Sequence, residues 1–134
     1  SCLMAITVVA GIIQDSEGLL LCAKRGDWKD AAGKWEFPGG KPKPGESLEA
    51  AIIREIQEEL SVEIRVLRQF DRSSTVVGDK EIDLVCFSCE LVGEKPVAST
   101  DHSELRWVKE SEMSKLDWAE PDLPAVKKLL IPFC

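Results

Sequence analysis

The sequence has no tyrosine, a single histidine (His102) and no excess of basic residues: 17 Lys and Arg stand against 24 Asp and Glu, a net charge of -7. That balance argues against a general nucleic-acid or membrane-surface binder, which needs basic patches. It leaves room for a small anionic substrate, because divalent cations can sit between carboxylates and phosphates. Nor is there a long hydrophobic run. The apolar stretch from Leu3 to Ile13 ends at Gln14 and has no positive segment before it. It falls short of the ~20 residues that span a bilayer, is poorly formed as a signal peptide, and reads as a buried first strand. The five cysteines, Cys2, Cys22, Cys86, Cys89 and Cys134, are odd in number, scattered and set among apolar neighbours. They do not suggest a disulfide scaffold and fit reduced thiols in a cytoplasmic setting. Cys86 and Cys89, three apart in a strand, point to opposite faces and so do not share a metal. Repeats, low-complexity tracts and linkers are missing as well. The 134 residues, 44% apolar and 31% charged, suit one globular domain covering 1–134.

What is present alternates between strand and helix signals. Ala5 to Ile13 is β-branched and apolar, a strand buried on both faces. A turn at Asp15 to Gly18 leads to a second strand, Leu19 to Ala23, which is expected to pair with the first as a hairpin. Lys24 to Lys34 reads as an exposed loop, and Trp35-Glu36-Phe37 alternates briefly before Pro38-Gly39-Gly40. Ser47 to Leu60 is the best helix: Ser47 suits the N-cap, Glu49 the positive end, and Leu48, Ile52, Ile53, Ile56 and Leu60 form the apolar stripe. Val62 to Phe70 and Lys80 to Leu91 read as strands about a turn near Gly78-Asp79, and Leu105 to Val108 as a short strand. Glu110 to Leu116 reads as a helical turn and Pro121 to Leu130 as a last helix. The order predicts a mixed α/β domain.

On the central helix Glu55, Glu58 and Glu59 share a face that borders the apolar stripe. Like charges so spaced repel by about 0.2–0.5 kcal/mol per pair, and Glu58 and Glu59 stand where the helix dipole prefers cations. Two readings are open on this helix alone: a solvated acidic face, or hard oxygen ligands for Mg2+ or Mn2+.

The wider spacing adds to this. Gly40, five residues, Glu46, seven residues, then Arg54-Glu55-Ile56-Gln57-Glu58-Glu59-Leu60-Ser61-Val62 resembles the Nudix box, differing only where Ser61 replaces a glycine. Ser61 can take the left-handed conformation such a glycine would supply, at roughly 1 kcal/mol. Trp35 to Lys41 also looks like the segment that precedes the box in MutT-type members. The resemblance implies a Nudix α/β/α sandwich, with a mixed sheet between helices, that cuts a diphosphate linkage with water and a divalent metal. It implies Glu55, Glu58, Glu59 and the Gly39 carbonyl as metal ligands. Arg54 and Glu46 would support them, with Gly40 at the start of the box. MutT-like proteins bring a further acid from a loop before the late strand, and here Asp101 is preferred over Glu104. The general base is left among Glu55, Glu58, Glu59 and Asp101. His102 reads instead as a surface loop histidine.

Substrate contacts implied by the same resemblance are Arg25 for phosphate, Phe37 for the base, and Asp122 for the base edge. Each has a plain alternative: a solvated arginine, core packing, and a helix N-cap. Trp28, Trp107 and Trp118 are core or rim residues. The lack of tyrosine weakens a dinucleoside polyphosphate hydrolase reading, and the downstream proline of ADP-ribose hydrolases is missing. What remains is the MutT or CTP-pyrophosphohydrolase type: a nucleoside triphosphate, whether 8-oxo-dGTP, CTP or 5-methyl-dCTP, is cut to monophosphate and pyrophosphate in nucleotide-pool sanitation. The alternatives are an RNA 5′-end pyrophosphohydrolase, disfavoured by the acidic balance, and a non-catalytic nucleotide sensor, disfavoured by the intact glutamates. Neither a stable nucleic-acid partner nor a membrane is expected, and the chain is either a monomer or a homodimer.

Overall fold

The computed structural model describes residues 3–131; Cys2 and Cys134 lie outside them. The strands are β1 (Met4–Gln14), β2 (Leu20–Arg25), β3 (Trp35–Glu36), β4 (Gly39–Gly40), β5 (Glu63–Val77), β6 (Lys80–Val92) and β7 (His102–Val108). The helices are α1 (Leu48–Leu60) and α2 (Leu123–Leu129), with 3-10 turns at Glu110–Lys115 and Glu120–Asp122. The main sheet path runs β3-β2-β1-β6-β5, with β4 paired to β1 and β7 to β2. β1 and β6 are parallel and the other named pairs antiparallel, so the sheet is mixed.

Helices cover both faces. Val9, Ile13, Val85, Phe87 and Cys89 pack under Ile52, Ile56 and Leu60 of α1. Ala10, Ile12, Leu84 and Cys86 face Met113, Ala125 and Val126 on the other side. The two-residue side-chain period of β1 and β6 thus feeds two cores, and the chain is an α/β/α sandwich. Burying a side chain such as Ile52 or Ile56 is worth about 1.5–3 kcal/mol. Cys86 and Cys89 do lie on opposite faces, and burial pushes the thiols of Cys22 and Cys89 up to about 12, which leaves them inert.

Four expectations change. β1 meets β2 only at Gln14 and Leu20; its long partner is β6, from Met4–Lys80 to Gln14–Glu90. β5 continues past Phe70 to Val77 and pairs with β6 to the turn. Ile53 is off the core row, 41% exposed. The last helix is a 3-10 turn followed by the short α2. Trp118 is buried, Trp107 carries Lys95 over its ring, and Trp28 stands out in solvent.

Candidate active site

Helix α1 delivers the acidic face. Ser47 Oγ accepts the Ala50 N–H at 3.1 Å and fixes the helix start. At the other end Ser61 adopts φ 56 and ψ 36 and donates its N–H to the Gln57 carbonyl, the left-handed exit usually given to glycine. Between them Arg54 ties the site together. Its Nε and Nη2 donate to the two Glu46 oxygens at 2.7 and 2.9 Å, and its Nη1 to Glu55 and Glu58 at 2.9 and 3.1 Å. Nη2 also reaches the Lys41 carbonyl. The Arg54 hydrogen bonds hold the Glu46 carboxyl down at about 2.

Opposite the helix, β4 brings Gly39 and Gly40 against β1 through the pairs Ala10–Gly39 and Val9–Gly40. Close approach bears on both glycines, at Gly39 through backbone and at Gly40 through the Glu55 side chain. A Cβ on Gly39 would stand 1.9 Å from the Val9 carbonyl oxygen, and one on Gly40 would stand 2.4 Å from Glu55 Oε2. Backbone and carboxylate therefore share one floor.

Glu59 is the most unusual group there. It is buried, and its Oε2 has no hydrogen-bond partner. Burial, then the Asp101 carboxylate beside it, then the charges of Glu55 and Glu36, push its carboxyl up to about 9. Among the described residues no three acidic, histidine or cysteine side chains converge as a ready-made cation site. The donors nonetheless suit a hard divalent ion. They are carboxylate oxygens with one left orphaned, beside a backbone that only glycine permits, and a cation there would relieve the crowding of Glu59 and Asp101. Glu58 lies further out, half-exposed and held by Arg54.

The floor opens into a cleft of about 680 Å³ bordered by Glu55, Glu59, Asp101, Arg25, Phe37 and Asp122 among others. Of the two acids weighed for the loop, Asp101 borders this cleft and pairs with Lys29 at 3.5 Å; Glu104 turns to Arg106. Phe37 packs 4.9 Å from the Trp118 ring while also lining the cleft. Asp122 does not cap α2 with its side chain. Instead it accepts the Phe37 N–H at 3.0 Å, and burial together with the nearby Glu36 charge raises its carboxyl well above the usual range.

Arg25, expected from the sequence as a phosphate contact, lines this cleft, whereas His102, which does not line it, escaped the sequence reading. Arg25 is not a solvated loop arginine: it ends β2 and donates to Glu36 Oε1 at 2.9 Å. His102 is no surface histidine. Its side chain is 1% exposed, with Nε2 2.8 Å from Glu36 Oε2 and Nδ1 2.7 Å from Ser99 Oγ. The available signal was Glu36 itself, an acid set between the buried aromatics Trp35 and Phe37.

Residues 4–129 match the NUDIX domain family. The chain belongs to the Nudix family. The CTP pyrophosphohydrolase of Escherichia coli (strain K12) is 32% identical over 126 residues, covering 93% of this chain and 91% of that protein. The 8-oxo-dGTP diphosphatase of Proteus vulgaris is 34% identical over 80 residues, 60% of this chain and 71% of the relative. The solution structure of the DNA mismatch repair protein MutT from methicillin-resistant Staphylococcus aureus 252 superposes with a TM-score of 0.75. It is 34% identical and covers 94% of this chain and 95% of that one. Nudix membership carries acid-anhydride hydrolysis of nucleotides as its general activity. Among the described residues no helix is long and apolar enough to cross a membrane.

Proposed function

We propose that this Nudix protein hydrolyses nucleoside triphosphates, oxidised or methylated ones included (the 8-oxo-dGTP, CTP and 5-methyl-dCTP class), to monophosphate and pyrophosphate with Mg2+ or Mn2+. The observation that carries the reading is the make-up of the cleft. Carboxylates of Glu55, Glu59 and Asp101 line it together with the cations Arg25, Lys29 and Lys41, and Phe37, packed on Trp118 and bonded to Asp122, adds an apolar wall with one buried acid. A polyphosphate attached to a flat base needs surfaces of those three kinds in one cavity. The activities named for the Escherichia coli and Proteus relatives point the same way.

Glu55, Glu58, Glu59, the Gly39 carbonyl and Asp101 would hold the cation, which supplies phosphoryl polarisation and a bound water of lowered pKa. Arg54 keeps Glu55 and Glu58 oriented. Arg25 takes phosphate charge, Phe37 packs on the base, and Asp122 meets its edge. Water adds to the β-phosphorus, the bond from that phosphorus to the bridging oxygen breaks, and the monophosphate leaves with that oxygen. Turnover of a panel of normal and modified triphosphates in labelled water tests this. The label is expected in pyrophosphate; release of orthophosphate instead would overturn the reaction type.

A further inference from the structure

His102 does not border the cleft, yet its imidazole stands at the centre of a polar chain that ends in it. The chain is closed in one direction only. Ser99 Oγ accepts the Asp101 N–H at 3.2 Å and lies 2.7 Å from His102 Nδ1. Glu36 Oε2, a carboxylate oxygen that only accepts, stands 2.8 Å from Nε2, so a neutral imidazole carries its proton there and leaves Nδ1 to accept the Ser99 hydroxyl. The other Glu36 oxygen receives Arg25 Nη1 at 2.9 Å, and Arg25 Nε donates to the Asp30 carbonyl. Every polar atom of the imidazole is thus matched. The guanidinium of Arg25 is gripped on two sides, and its remaining nitrogen has no partner among the described residues, open to a ligand in the cleft.

We propose that His102 is a positioning residue: in the Nε2–H form it fixes the Glu36 carboxylate, and through it aims Arg25 at the phosphates. Removing the Nε2 donor leaves Glu36 free to rotate, and Arg25 with it. The inference rests on the reading that Arg25 contacts substrate phosphate, but the geometry of Arg25 is measurable without substrate.

Glutamine and asparagine separate the two ends of the ring. The amide nitrogen of Gln reaches the place of Nε2, whereas that of Asn reaches only the place of Nδ1. His102→Asn is expected to raise the KM for a triphosphate about tenfold, the scale of one charge-assisted hydrogen bond, with kcat within about threefold. His102→Gln should restore most of the KM. In an Arg25→Ala background His102→Asn should add no further rise, because its effect passes through Arg25. Independently, proton–nitrogen NMR of the wild-type protein without nucleotide should show His102 protonated on Nε2 and a protected Arg25 Nη1–H, bonded to Glu36, that His102→Asn exposes. Multiplying effects in the double variant, or an Nδ1–H imidazole, overturns the proposal. A wild-type protein that cuts no triphosphate but shows both NMR signatures sinks the function reading and leaves the positioning of Arg25 standing.

Discussion

Arg54 and Glu46 form a two-pronged ion pair, with Nε to Oε2 at 2.7 Å and Nη2 to Oε1 at 2.9 Å. The pair joins the loop before α1 to the middle of the helix, and the same guanidinium reaches Glu55 and Glu58. Lysine cannot reproduce this fork. Arg54→Lys is expected to lower kcat/KM by about 100-fold, as misplaced catalytic groups do, while circular dichroism stays unchanged. Retained turnover would mean that the carboxylates hold their places without it.

Gly39 and Gly40 should respond differently to alanine. At Gly39 the added methyl meets backbone of β1, which cannot yield, so Gly39→Ala lowers the melting temperature. At Gly40 it meets the Glu55 carboxylate, a side chain that can swing aside. Gly40→Ala is expected to keep its fold and lose most of its activity, measured as kcat at saturating metal.

Glu59 is held buried beside Asp101 with one oxygen unpaired, so its ionised form opposes folding when no cation is bound. In chelator at pH 8, Glu59→Gln should melt higher than the wild type, and Mg2+ should raise the wild type more than the variant. Equal shifts with Mg2+ would remove Glu59 from the cation site.

Asp15 gives the opposite pH behaviour. Burial tends to raise its pKa, but Lys95 at 2.9 Å and the N–H groups of Leu19 and Glu17 outweigh it, and the net shift is downward. A depressed carboxyl contributes stability above its unfolded pKa of 3.8 and loses it as pH falls through the lower folded value. Asp15→Asn should therefore cost about 1–2 kcal/mol near neutrality, with the gap to wild type closing in acid. Urea denaturation across that range measures it.

Much of the site's frame was legible from spacing, since helix periodicity fixes which side chains share a face. Ser47 caps α1, Ser61 turns left-handed, and Cys86 and Cys89 part to opposite faces. Ile53 misled because it follows Ile52 by one residue, a 100° turn off the buried row. The second half of β5 was hidden because Arg72, Ser73 and Ser74 lie on an edge strand. There pairing to β6 alone defines the strand, without an apolar alternation. His102 and Glu36 meet across 66 positions of sequence, a contact that no local pattern encodes.

The carboxylate face of α1 is expected to drive cleavage of a diphosphate linkage. Its most direct measurement is Mg2+-dependent pyrophosphate release from nucleoside triphosphates by the wild type and Glu58→Gln. Release by the wild type and its loss in the variant are expected; turnover untouched by the substitution would contradict the assignment.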